Sequence, residues 1–213
     1  MIEPHLKDAD LLQDIATAPA GEGCFHLWWL GQSGFLLKWG QRFLLMDPYL
    51  SDSLTRKYAE TDKPHIRMTA LAVNPSRLDF INLLTSSHNH TDHLDAESLQ
   101  PIMAASQGVE LLTPSANTEF AMERLGLDGN EKIHGLRVGD SASLGGFECH
   151  AIPAAHETRE LDDKGQDKYL GYVFKFGGWS IYHSGDTVLF DGLVESLSGF
   201  SLDVALLPVN GRS

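Results

Sequence analysis

Basic residues are scarce: 16 Lys and Arg face 29 Asp and Glu, for a formal net charge of −13. At long range such a chain repels a phosphate polymer, so nucleic acid is not an expected partner. Cysteine is scarcer still. Cys24 and Cys149 are the two in the chain, and they read as small buried residues rather than a disulfide framework, which suits the cytoplasm. No apolar run reaches the roughly 18 residues of a membrane-spanning helix. The opening MIEPHLKDADLLQDIATAPA has neither the basic n-region nor the apolar h-region of a secretory signal. A cytoplasmic protein without a membrane partner is therefore expected. Two catalytic signatures are also missing, G-x-S-x-G and C-x-x-C, so no serine or thiol nucleophile announces itself. Internal repeats, low-complexity tracts and long linkers are absent as well.

What is present is the composition of an ordinary globular chain, 42% hydrophobic and 21% charged over 213 residues, enough for one large domain. Residues 5–18 read as a helix stopped by Pro19 and Gly21. Apolar runs at 25–30, 34–39 and 42–48, punctuated by Gly31 and Gly40, read as a strand meander. Residues 51–78 read as a long surface loop, and 78–87 as a strand that delivers His88. Helices are expected at 95–106, with Asp95 as N-cap and Pro101 awkwardly inside, and at 115–126, capped by Ser115 and stopped by Gly126. Further strands are expected at 109–113, 147–155, 169–176, 179–184 and 203–208. Strands that lead, with helices between some of them, fit a layered α/β sandwich. The 203–208 strand looks central although the sequence stops soon after it. We therefore expect one domain over 1–213 whose C-terminal portion is lacking or is covered by a partner, with a homo-oligomer left open.

The strongest chemical signal is SSHNHTDHLD at 86–95. Its His-x-His-x-Asp-His spacing gathers imidazoles and a carboxylate, the natural ligands of Zn²⁺, Mn²⁺ or Fe²⁺. In an extended segment His88 and His90 project to one side, while Asp92 and His93, at the turn into the next helix, face a second point. A solvated, accidentally His-rich loop is the plain alternative, and a cluster this dense makes it a poor one. His156 ends a strand-like run at a loop, and Asp186 follows a strand in YHSGDT, where Gly185 allows a sharp turn. Taken alone, each would be read as a structural histidine and a turn residue. His5, His26, His65, His134 and His150 lack ligand-like companions. Trp28, Trp29, Trp39 and Trp179 lie in strands and read as core. Arg159, Lys164, Lys168 and Arg212 are candidates to hold a phosphate or carboxylate, with a solvated charged loop an equal alternative.

A strand followed by His-x-His-x-Asp-His, then a lone His, then Ser-Gly-Asp-Thr after another strand, resembles the metallo-β-lactamase-fold hydrolases. WLGQSGFLLK, Asp47-Pro48, LGYVFKFGGWSIYHSGDT and LLPVNGR are similar to the branch containing L-ascorbate-6-phosphate lactonase. SHNHTDHLD also looks like the N-acylphosphatidylethanolamine phospholipase D group. The resemblance implies an αββα sandwich of two mixed sheets with the site at one edge. It implies one or two divalent cations, Zn or Mn foremost and Fe or Ni admissible. His88, His90 and His156 would hold one, and Asp92, His93 and Asp186 the other, with Asp186 bridging. Such a pair activates water to attack a polarised carbonyl or phosphoryl group, oriented by Asp92, the candidate catalytic residue. A carboxylate behind the ligands, such as Asp47, would fix a ligand histidine. The family usually adds a C-terminal histidine, and none follows His183 here. His183 itself reads as second-shell or structural. The implied activity is hydrolysis of a small ester, lactone or phosphorylated metabolite, with a small molecule as the partner. Phosphodiester cleavage in phospholipid or nucleic acid and non-catalytic metal binding are the alternatives.

Overall fold

The computed structural model describes every residue except 22, 63, 130, 131 and 210–213. Arg212 therefore lies outside the described residues. The elements begin with α1 (Asp8–Thr17), β1 (His26–Gly31), β2 (Gly34–Trp39), β3 (Arg42–Met46) and the short α2 (Ser53–Lys57). Next come β4 (Leu83–Thr85), α3 (Ala96–Ala105), β5 (Glu110–Pro114), α4 (Thr118–Leu125), β6 (Ile133–Leu136) and β7 (Ser141–Leu144). The last are β8 (Phe147–Pro153), β9 (Leu170–Phe176), β10 (Trp179–His183), α5 (Leu193–Leu197) and β11 (Val204–Leu206).

These form a six-stranded sheet in the order β1-β2-β3-β4-β5-β6 and a five-stranded sheet in the order β11-β10-β9-β8-β7. Both are mixed. The first is antiparallel up to β3 and parallel from β3 to β6, and the second is antiparallel except for the parallel pair β10 and β11.

The period-two alternation of strand side chains explains the layers. In the first sheet Leu36, Leu45, Leu84 and Leu111 face one way, where Leu11 and Ile15 of α1, Leu99 and Ile102 of α3 and Ala121 and Leu125 of α4 cover them. The neighbours Leu37, Leu44, Leu83 and Leu112 face the other way and meet Cys149, Tyr172, Phe174 and Ile181 of the second sheet. On that sheet's outer face, Val173 and Tyr182 pack with Leu193 of α5. Four layers result, helix, sheet, sheet, helix, as expected.

Several sequence expectations need correction. The 78–87 strand shrinks to Leu83–Thr85, because the backbone turns away after Thr85 to build the site. The stretch 51–78 is not all surface. It contains α2, and it buries Arg67, Ala70, Ala72, Val73 and Leu78. Arg67 is satisfied there by the backbone carbonyls of Tyr49, Ser51 and Thr69. The helix expected at 115–126 begins at Thr118 with Asn117 as N-cap, because a 3-10 turn takes up Ser115–Asn117. Trp29 is 58% exposed rather than core, since β1 is an edge strand. Among the described residues β11 pairs with β10 alone.

Candidate metal centre

The site forms where β4 ends and the chain bends sharply. Residues 87–90 are bends rather than extended backbone, so alternation is not what aligns His88 with His90. A tight turn follows, in which the His90 carbonyl accepts the amides of His93 and Leu94 at 3.1 and 2.8 Å. Arg124 of α4 clamps the loop from outside, its Nη1 donating to the carbonyls of Asn89 at 2.7 Å and Leu94 at 3.3 Å.

The rings converge. His88 lies 4.5 Å from His90 and 4.0 Å from His93, centroid to centroid, and His90 lies 4.8 Å from His156, which arrives on the loop after β8. Asp186 is brought in by the turn after β10. Gly185 there has φ +56°, and a Cβ on it would fall 2.6 Å from the Ser87 Cβ, so both conformation and space demand glycine. Asp186 Oδ2 thereby reaches 3.3 Å from His93 Nε2, and Asp92 Oδ2 reaches 3.7 Å from the same nitrogen.

Two groups have ligand atoms within 4.8 Å of one another: His88, His90 and His156, and His88, His93 and Asp186. All six expected residues thus meet in one place. The grouping differs in one detail, since His88 stands between both sets and Asp92 sits at the rim of the second. Donor chemistry fits divalent cations, three imidazoles on one side and imidazole with carboxylates on the other. The Nε2 atom of His88 is buried without a hydrogen-bond partner, which is costly unless something fills the space beside it, and the Nε2 of His93 meets only the carboxylates of Asp186 and Asp92.

Asp47 holds the far side of His93. It is fully buried, at φ +41°, with Oδ2 2.6 Å from His93 Nδ1, and it accepts the Ser87 amide at 2.9 Å and the Ser87 hydroxyl. Fixing Nδ1 in this way leaves Nε2 for a ligand role. Burial tends to raise the Asp47 pKa, but His183, His93 and Ser87 outweigh it and the net shift is downward. Burial tends to lower that of His93, yet its contacts with Asp186 and Asp47 carry it well above the ordinary value. His88 moves well below, through burial and then the neighbouring imidazoles. A buried, neutral imidazole is the form that ligates.

Three residues at the site carried no signal in the sequence. Gln32, in the β1–β2 turn, donates to Asp92 Oδ2 at 3.2 Å. Tyr169 packs its ring 5.0 Å from His88 and 5.6 Å from His156. Ser87 Oγ lies 3.0 Å from His88 Nδ1. His183 is buried and stacks edge-on with Phe35 behind the cluster, apart from both ligand groups. The anion-binding candidates are engaged locally. Arg159 pairs with Asp167 at 2.8 Å, Lys164 lies 3.9 Å from Glu119, and Lys168 lies 3.7 Å from Glu160.

An αββα sandwich with a His/Asp cluster at the edge between its sheets defines a metallo-β-lactamase-fold protein. Comparison with known proteins agrees: residues 26–213 match the family described as the beta-lactamase superfamily domain. The chain belongs to that family and is a metal-dependent hydrolase of the superfamily. It is 32% identical over 186 residues to a UPF0173 metal-dependent hydrolase of Pelotomaculum thermopropionicum, covering 84% of this chain and 70% of that one. It is 24% identical over 225 residues to a probable L-ascorbate-6-phosphate lactonase of Escherichia coli, covering 92% of this chain and 63% of the relative. A metallo hydrolase of the archaeon Ignicoccus hospitalis shares the fold with a TM-score of 0.59 at 22% identity, covering 87% and 71% of the two chains. Among the described residues no helix is long and apolar enough to cross a membrane.

Proposed function

We propose that this chain hydrolyses a small ester, lactone or phosphorylated metabolite with water activated by one or two divalent cations. The observation that carries the reading is the buried, unpartnered Nε2 of His88, shared by two groups of candidate ligands. His88, His90 and His156 would hold one cation, and Asp92, His93 and Asp186 the other, with Zn or Mn favoured by the donors and Fe or Ni admissible. When bound, such cations bring the pKa of water down to roughly 7 and polarise the group under attack. The protein's own residues do the rest. Asp92 accepts a hydrogen bond from the attacking water and orients it, while Asp47 keeps His93 in a single tautomer. Tyr169 walls the histidines on one side. Asp92 and Asp186, 21% and 30% exposed, keep the cluster open to a ligand, which favours catalysis over a closed structural site.

The test is elemental analysis of the purified, reconstituted protein, with hydrolysis assayed on a panel of lactones and on bis-p-nitrophenyl phosphate. Bound Zn, Mn, Fe or Ni is expected, and chelation should abolish hydrolysis reversibly. His88→Ala and Asp186→Ala should abolish it while leaving the fold in place. Absence of all four metals after reconstitution would overturn the reading, and near-normal activity in either variant would remove that residue from it.

A further inference from the structure

Among the described residues three non-glycine positions have positive φ: Asp8, Gln32 and Asp47. Asp47 and Gln32 both touch the candidate metal centre. Left-handed backbone is disfavoured for a long side chain such as glutamine, and it persists only where the surroundings hold it. At Gln32 the surroundings do so visibly. The preceding Gly31 is also left-handed, at φ +94°, and packs so tightly that a Cβ would fall 2.6 Å from Thr69 Oγ1. The Trp29 indole N–H donates to the Gln32 carbonyl at 2.8 Å, across the turn.

The consequence is where the side chains of this turn go. Gln32 Nε2 lies 3.2 Å from Asp92 Oδ2, the oxygen that also faces His93. The Ser33 hydroxyl lies 3.2 Å from the Asp92 carbonyl and 3.4 Å from the Asp47 carbonyl. A two-residue turn, 60 positions away in the chain, thus grips Asp92 at both its carboxylate and its backbone. Asp92 itself sits on a turn at the open rim, where its carboxylate also approaches His93 Nε2 at 3.7 Å.

We propose that the β1–β2 turn is a positioning device for Asp92, in which Gln32 aims the carboxylate at the second cation and Ser33 anchors its backbone. This rests on the assignment of Asp92 as a ligand of that cation. Gln32 acts through Asp92 and is a positioning residue, not a catalytic one. The strained conformation is what allows the amide to reach the carboxylate from the edge of the sheet.

The strain also supplies a clean test, because glycine and asparagine suit positive φ better than glutamine but cannot bring an amide to the same place. The metal-free 213-residue chain, as wild type, Gln32→Gly and Gln32→Asn, would be titrated calorimetrically with Zn²⁺ and with Mn²⁺. Both variants are expected to melt no lower than wild type without metal, to bind the first cation as wild type does, and to bind the second about 10- to 100-fold more weakly. Wild-type affinity for both cations in both variants would overturn the proposal, leaving Gln32 a turn residue only. Equal weakening of both cations would overturn it too, as general damage to the site. A wild-type chain that binds fewer than two cations would instead sink the assignment of Asp92, and this inference with it.

Discussion

At Asp47 and His93 the burial of two ionisable groups sets up a measurable proton count. A carboxylate in the interior normally gains a proton and a buried imidazole normally loses one. Here each reverses the other's tendency, so the metal-free protein holds an aspartate lowered by its imidazole neighbours and a histidine raised by Asp186 and Asp47. His93 is therefore biased toward its protonated form before metal arrives. A raised histidine stabilises the metal-free fold fully below its unfolded pKa of about 6.5, and that contribution is lost as pH climbs through the higher folded value. The lowered Asp47 behaves oppositely, stabilising above the unfolded carboxylate value and losing its effect as pH falls through the folded one. A cation on His93 Nε2 must displace that proton, so uptake should release protons, and affinity should rise with pH. Calorimetry of metal binding in two buffers of different ionisation enthalpy measures this directly. Heats that do not depend on the buffer would mean that His93 is already neutral or is not a ligand.

Among the elements, α4 is the one that ties the helical layer to the site. Its Arg124 sits over the Phe120 ring at 4.3 Å and spends its Nη1 protons on carbonyls of the metal loop. Arg124→Ala should free residues 89–94, costing about 1–2 kcal/mol in metal-free stability. Amide exchange at His93 and Leu94 should speed up. Unchanged exchange with unchanged melting would show the clamp to be idle. The elements that were legible in the sequence are those with long apolar alternation, such as β2, β3, β9 and β10. Two strands were not: β6 (IHGL) and β7 (SASL) are four residues each, polar or glycine-broken, and they are strands only because β5 and β8 offer them an edge. Pro101 looked like a break yet lies inside α3, where the buried residues Leu99, Ile102 and Met103 hold the helix against the sheet. His88, His90, Asp92 and His93 were legible because chemistry and spacing advertised them, whereas His156 and Asp186 stood out only through the family resemblance. Gln32 and Tyr169 were not, since a lone glutamine in a turn and a tyrosine before a strand have no pattern until the fold brings them to the cluster.

Taken as a whole molecule, the protein places a cation-seeking cleft in a strongly negative body, with a formal net charge of −13. The two consequences have opposite sign. Divalent cations are drawn in, whereas an anionic substrate is repelled until it reaches the metal. Local relief is limited, because Arg159, Lys164 and Lys168, on the loop that follows His156, lie against acidic partners. Salt screens such long-range repulsion over a Debye length of about 10 Å at 0.1 M ionic strength. For a phosphorylated substrate, kcat/KM should therefore rise as ionic strength goes from about 0.01 to 0.15 M, the range over which that length falls from about 30 to 8 Å. A neutral lactone or ester has no such repulsion and should show little change. The measurement is an ionic-strength series at fixed saturating metal, using a matched pair of substrates with and without a phosphate. A phosphorylated substrate whose kcat/KM falls with salt would mean that a positive surface steers it, contrary to the arrangement of charges described here.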